Sequence, residues 1–149
     1  MANWVIDENV FECAVPEHRQ YRDAFYLIET ISRFHKLVLD YDNVLMGRYR
    51  RHFDRVKWLG KWFADVTAKA GSVEYRCCGL STTIEARLDS LGFDPDDKCF
   101  LGAALRADRL IVSEDGDFTE PPAGPYIRDD LTVVALKIAE AITEEAGRR

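Results

Sequence analysis

The 149-residue sequence has no apolar run approaching the roughly 18 residues that a membrane-spanning helix needs. No membrane-spanning helix is expected. The first residues carry no basic stretch ahead of an apolar one, and Asp7 and Glu8 already interrupt them. No secretory signal is therefore expected, and the cytoplasm is the expected compartment. Glycine and proline are scarce, at nine and five residues, which excludes a collagen-like fibre and a low-complexity linker. No internal repeat divides the chain, and its length fits one domain with its own core. Cysteine is limited to Cys13, Cys77, Cys78 and Cys99, with no C-x-x-C spacing. The adjacent Cys77 and Cys78 would point to opposite faces of a strand. Buried, reduced thiols are expected rather than a zinc site.

An excess of positive charge is also missing. Twenty Lys and Arg stand against 26 Asp and Glu, a net charge of −6. The whole-chain field carries no signature of a nucleic-acid binder. The charges are unevenly spread, however. Arg48, Arg50, Arg51, Arg55, Lys57, Lys61 and Lys69 fall in one stretch with only Asp54 and Asp65, whereas acids dominate from Glu85 to Glu120.

What is present is an alternation of short apolar runs with helical patterns. Trp4–Ile6 reads as a buried strand with a polar exit. A helix is predicted from Pro16 and Glu17 to about Phe34, with Phe25, Ile28, Ile31 and Phe34 on one face. Lys36–Leu39 is a second strand. Asp42 to about Ala70 reads as helix with a break near Gly60, because Tyr49, Phe53, Val56, Leu59, Phe63 and Val66 recur at helical spacing. Val73–Cys77 is a third strand. Thr82-Thr83-Ile84-Glu85 reads as a capping box opening a helix to about Leu91. Asp94-Pro95-Asp96-Asp97 starts another helix, to about Arg106, with proline in its first turn. Leu110–Ser113 is a fourth strand, Pro121–Pro125 a loop, Leu131–Leu136 a fifth strand, and a helix closes the chain. Short continuous apolar strands between helices imply an α/β fold with a parallel sheet covered on both faces.

In such sheets, sites lie beyond the carboxyl ends of the strands. Asp7 follows the first strand, Asp115 and Asp117 follow the fourth, and Asp97 opens the helix before it. Singly, each has an ordinary role: Asp97 complements a helix N-terminus, Asp115 and Asp117 make a turn, and Asp7 caps the next segment. Jointly, four acids at one sheet edge repel one another unless a divalent cation neutralises them. Mg²⁺ and Mn²⁺ prefer carboxylate and water oxygens, and such a metal supports hydrolysis at phosphorus.

Three segments carry a resemblance. They are Val5-Ile6-Asp7-Glu8-Asn9-Val10, Asp96-Asp97-Lys98-Cys99-Phe100-Leu101-Gly102-Ala103-Ala104, and the run Ala107–Phe118 with Ser113-Glu114-Asp115-Gly116-Asp117 inside it. In order and spacing the chain resembles a PIN domain, the metal-dependent ribonuclease fold of many toxins of toxin–antitoxin pairs and of RNA-processing nucleases. The resemblance implies a three-layer α/β/α fold with a central parallel sheet of four to five strands. It implies Mg²⁺ or Mn²⁺ held by Asp7, Asp97, Asp115 and Asp117, with Asn9 and Ser113 in support. The implied reaction is hydrolysis of single-stranded RNA without a covalent enzyme intermediate, and an antitoxin is an implied protein partner.

One position departs from the family pattern. An acid is usual on the helix after the second strand, where Val44-Leu45-Met46-Gly47-Arg48-Tyr49 has Gly47 and Arg48. Asp40 or Asp42 is the candidate replacement; without one, a catalytically degenerate scaffold that docks a partner is the alternative. Val38-Leu39-Asp40-Tyr41-Asp42-Asn43-Val44-Leu45 also resembles the first motif of haloacid-dehalogenase-type phosphatases, in which Asp40 would be a nucleophile and Asp42 an acid/base. That motif normally opens its fold, and here a strand and a long helix precede it. In the basic stretch, Arg48, Arg51 and Arg55 are candidate phosphate contacts. The aromatics of this stretch fit a buried stripe or an oligomer contact better than an RNA face, and Trp58, just off the stripe, is the one expected to be exposed and open to RNA bases. The first long helix and Gly47–Lys61 are candidate faces for a homodimer or an antitoxin groove. His18, His35 and His52 show no catalytic spacing and are expected to be satisfied structural residues.

Overall fold

The computed structural model describes all 149 residues. The apolar run near the start forms β1 (Asn3–Ile6), with Trp4, Val5 and Ile6 fully buried. It is followed by α1 (Glu8–Cys13), α2 (Tyr21–Phe34), β2 (Lys36–Asp40), α3 (Val44–Arg50), α4 (Leu59–Ala68) and β3 (Val73–Arg76). Then come α5 (Thr82–Ser90), a 3-10 turn over Pro95–Asp97, α6 (Lys98–Leu105), β4 (Leu110–Val112), a second 3-10 turn over Gly116–Phe118, β5 (Val134–Leu136) and α7 (Ile138–Gly147).

All five strands are parallel, in the order β3-β2-β1-β4-β5. Every carboxyl end therefore opens on the same edge. The order reverses at β1, so the ends of β1 and β4 sit side by side where connections leave in opposite directions, the crevice in which open α/β sheets place their sites. α2 packs on β2 and α7, and α6 packs across β1, β2 and β4. The helices thus complete three layers, as expected.

Three local features differ from the sequence reading. A short helix, α1, follows β1 directly, and α2 begins at Tyr21 rather than at Pro16. The buried face of α2 is centred on Ala24, Leu27, Ile28 and Ile31, with Phe25 and Phe34 half-buried at its margins. The predicted helix over 42–70 is two helices parted by turns at 51–58. Gly60 is not the break. It lies in the first turn of α4, where the ring of Phe53 packs 3.3 Å from the position a Cβ would take. The cap of α5 is Ser81, whose Oγ accepts the Ile84 N–H at 3.2 Å, one residue before the expected box.

Below the site, Phe11, Tyr49 and Phe63 form an aromatic cluster with ring centroids 4.8–5.5 Å apart. Tyr49 Oη donates to the Ile6 carbonyl at 2.5 Å, fixing α3 to the end of β1. α6 approaches the segment after β3 so closely that a Cβ on Gly102 would overlap the Cys78 carbonyl. Gly102→Ala is therefore expected to cost about 2–3 kcal/mol, lowering Tm by roughly 5–10 °C. Gly47 on α3 has nothing within 4 Å of that position. Gly47→Ala is expected to stabilise by about 0.5–1 kcal/mol, through helix propensity. Thermal melts of the two variants check the contrast, and equal shifts would contradict it.

Candidate metal centre

The ladder between β1 and β4 continues one step past the strand, with Asp7 N–H donating to the Val112 carbonyl at 2.9 Å. This plants Asp7 at the centre of the edge with only 1% of its surface exposed. Its side chain does not cap α1. Oδ2 instead accepts the Ser113 hydroxyl at 2.6 Å. The same Ser113 Oγ accepts the Asp115 N–H at 3.0 Å and an Asn9 amide N–H at 3.3 Å. One donor and two acceptor positions satisfy a hydroxyl completely, so its orientation is fixed. Asn9 Oδ1 accepts the Glu114 N–H at 3.2 Å, closing the loop between the two strand ends. Asn9 and Ser113 thus lie beside Asp7 and hydrogen-bond to one another.

Asp115 opens the 3-10 turn and accepts the Asp117 N–H on Oδ1 at 3.0 Å. Asp97 arrives from the other side, at the end of the turn that precedes α6. Asp94 caps that turn, accepting the Asp96 N–H at 2.9 Å, with Pro95 in its first position. Asp7, Asp97 and Asp115 each present a carboxylate oxygen within 4.8 Å of the others, and Asp94, Asp97 and Asp117 form a second such group. Asp97 belongs to both. It is 6% exposed, and its Oδ2 is buried without a hydrogen-bond partner. Ligand oxygens on an octahedral Mg²⁺ lie about 3–4.2 Å apart. The spacing and the orphaned oxygen therefore fit a hard divalent cation.

The electrostatics agree. Burial pushes the Asp7 carboxyl up from 3.8 to about 6, against the opposing Ser113 hydrogen bond. Asp97 is raised further, first by burial and then by the charges of Asp7 and Asp115. No basic side chain pairs with either carboxylate in the protein.

The basic residue nearest the site is committed elsewhere. Arg48, with Gly47 one of the two residues where an acid is expected, pairs its guanidinium with Glu8 at 2.5 Å and Asp96 at 3.2 Å. Glu8 is also held by His52 Nε2 at 3.1 Å. Arg48 is therefore a half-buried strut between α1, α3 and the Pro95–Asp97 turn. Neither Asp40 nor Asp42 joins the acid cluster. Asp40 accepts the Val44 and Leu45 N–H groups, at 3.0 and 2.8 Å, and so caps α3 from within the sheet, while Asp42 is exposed. Both oxygens of Asp40 are thus engaged at the start of α3, and the fold places it on the second strand rather than the first. Trp58 is not the exposed aromatic expected: its Nε1 donates to the Ala14 carbonyl at 3.0 Å and its ring packs on Phe25 and Trp62. Arg51 and Arg55 are exposed.

Glu8, Asp94 and Asp96 were not singled out by sequence reasoning. The signal for Asp94 is the Asp-Pro-Asp-Asp string, which places a capping acid three residues before Asp97. Nothing in the sequence pairs Glu8 with Arg48, forty residues away.

No protein-family model matches the chain, and no curated protein matches it in sequence. Among solved structures, a chain from the crystal structure of VapBC2 from Rickettsia felis, bound to a DNA fragment from their promoter, superposes with a TM-score of 0.53. The match covers 91% of this chain and 98% of that one, at 10% sequence identity. The fold is PIN-like. At this identity the likeness is one of architecture, and the PIN-like edge is the one that gathers the acids.

The raised carboxyls make metal-free stability depend on pH with a definite sign. An acid whose folded pKa exceeds its unfolded value binds more protons in the folded state, so its penalty is absent below about pH 4 and grows as pH rises through about 6. In chelator, the Tm of the wild type is expected to fall relative to Asp97→Asn between pH 5 and 8. A gap of about 2 kcal/mol, roughly 4–8 °C, should open at pH 8. Mn²⁺ should narrow it by stabilising only the wild type. Parallel Tm profiles for the two proteins would show that the acids do not strain the fold.

Proposed function

We propose that this PIN-like protein is a divalent-metal-dependent endoribonuclease acting on single-stranded RNA. The observation that carries the reading is the buried, unpartnered Asp97 oxygen facing Asp7 and Asp115 at the carboxyl edge of the sheet. Asp7, Asp97 and Asp115 would hold Mg²⁺ or Mn²⁺, with Asp117 beside them. The cation would supply Lewis acidity toward water and the phosphate, and compensate the charge that builds up in an in-line displacement.

The chain's own residues do the positioning. Ser113 locks the Asp7 carboxylate, and Asn9 locks Ser113. Glu114 ties this loop into the fold, accepting from Gln20 Nε2 at 2.9 Å and from the Ile138 N–H at 3.1 Å. Arg48 pairs with both Glu8 and Asp96 and offsets part of the repulsion that these two acids add at the rim. Hydrolysis adds water across one P–O bond and leaves a phosphomonoester and a hydroxyl end. No side chain here needs to act as a covalent nucleophile. The fold likeness to a chain of VapBC2 supports a toxin role, with an antitoxin as protein partner.

A second reading, a non-catalytic docking scaffold, draws on Arg48 in the place of a family acid. Cleavage of a mixed-sequence single-stranded RNA with Mn²⁺ separates the two. The nuclease reading expects cleavage that EDTA, Asp7→Asn and Asp115→Asn each reduce to background, and that Ser113→Ala lowers about 10- to 100-fold. A folded wild type that neither cleaves RNA nor binds Mn²⁺ would leave the scaffold.

A further inference from the structure

Most large apolar side chains are buried, and those left outside are not scattered evenly. Tyr41, Val44 and Tyr75 are 65%, 42% and 40% exposed and share one corner of the molecule. Tyr41 follows β2 directly, and Tyr75 lies in β3 in register with Leu39. Side chains two residues apart on a strand share a face, so Tyr41 stands one pleat beyond Tyr75. Their rings stack with centroids 6.0 Å apart and planes 27° from parallel. Neither hydroxyl has a partner in the protein, in contrast to Tyr49, whose hydroxyl anchors α3, and Tyr26, whose hydroxyl is held by Arg149. The pair is braced ring against ring and remains exposed to solvent.

We propose that Tyr41 and Tyr75 are a base-stacking platform for the single-stranded RNA that this PIN-like site would cut, an inference that rests on the ribonuclease reading above. Three observations select this occupant. The rings lie at the carboxyl ends of β2 and β3, the edge that also carries Asp7 and Asp115. β3 is two strand spacings from β1, about 10 Å. Helix α3 joins the two places physically: it starts three residues after Tyr41, and its Arg48 reaches Asp96, the neighbour of Asp97. Finally, exposed cations flank the far end of the same helix. Arg50, Arg51 and Arg55 are exposed and form no ion pair, so they are available to phosphates.

The chemistry fits bases rather than an aliphatic protein surface. Every base has a π-face, so stacking on tyrosine tolerates any sequence and contributes about 5- to 150-fold in affinity per base. It also requires an unpaired strand, because a base inside a duplex has no free face. The platform thus gives the site a preference for single strands that the acid cluster alone does not supply. It takes the role that Trp58 cannot fill, since that ring is packed and hydrogen-bonded.

The test uses the full-length protein, with Tyr41→Ala/Tyr75→Ala and Tyr41→Phe/Tyr75→Phe double variants beside the wild type. Steady-state cleavage is measured on a short single-stranded RNA and on the same RNA carrying abasic residues. Binding is followed by fluorescence anisotropy in the non-cleaving Asp115→Asn background with Mn²⁺. The alanine pair is expected to raise KM and weaken binding about tenfold or more while kcat stays within about twofold, and the phenylalanine pair, which keeps the rings, to behave as wild type. The wild type should prefer intact over abasic RNA, and the alanine pair should lose that preference. A wild type that cleaves RNA while the alanine pair keeps its KM overturns the platform alone. So does an alanine pair that weakens on both RNAs equally, which would mark the corner as a contact for something other than a base. A wild type that neither binds nor cleaves RNA overturns the ribonuclease reading, and the platform with it.

Discussion

The constraint on which this structure turns is the mutual repulsion of carboxylates that the sheet forces together. A parallel sheet that reverses direction at β1 brings the ends of β1 and β4 side by side, and both ends carry aspartate. α6 then sets Asp97 against them with one oxygen lacking any donor. A lone unsatisfied buried acceptor costs about 1–3 kcal/mol, and proximity to like charges adds to that. The surrounding residues show that this is an organised site rather than a packing accident. Ser113, Asn9 and Glu114 hold the other acids in place through side-chain and backbone hydrogen bonds, yet none of them turns a donor to Asp97. The free position is preserved while everything around it is fixed.

Arg48 sharpens the point. A guanidinium this close is the obvious device for quenching an acidic cluster, and here it is turned to the rim. Glu8 and Asp96 take its hydrogen bonds, so no guanidinium reaches the inner aspartates. Arg48 therefore sets one positive charge between two rim acids without filling the inner site. The inner carboxylates have no basic partner in the protein. The capping work of Asp40 follows the same logic: its charge faces the N-terminus of α3, where backbone N–H groups satisfy it.

The sequence makes the architecture legible because strands and acids follow local rules. Four-residue apolar runs with polar exits locate the strands and the open edge, and the alternation with helices makes the sheet parallel. Asp7, Asp97, Asp115 and Asp117 could be singled out because each sits at a strand end or a helix start, whereas Asn9 and Ser113 rest on the resemblance. Helical continuity was less legible. The spacing of Tyr49, Phe53, Val56, Leu59, Phe63 and Val66 records burial, and most of these residues are indeed buried. Yet the same stripe is met by two short helices and a turn, which lets Trp58 fold back onto Ala14. Gly60 looked like a break because glycine is permissive, but its missing side chain makes room for Phe53. The pairing of Glu8 with Arg48, and the meeting of Tyr41 with Tyr75, depend on tertiary approach and leave no local trace.

Net charge has a consequence for how such a site meets its substrate. With −6 overall, the long-range field repels a polyanion, and beyond roughly 8–10 Å it is screened in any case. Capture must therefore come from contacts that act at short range. The candidate contacts differ by type: stacked tyrosines at the ends of β2 and β3, exposed arginines at and beyond the end of α3, and carboxylates at the ends of β1 and β4. The carboxylates oppose phosphate until a cation masks them, whereas stacking on the tyrosines needs no charge. On the proposed ribonuclease reading, binding and hydrolysis would share one requirement, because the ion that would support the chemistry would also mask the repulsion between carboxylates and phosphate. An acidic protein would in this way handle a polyanion without a broad basic surface, and would be poorly suited to it without the metal.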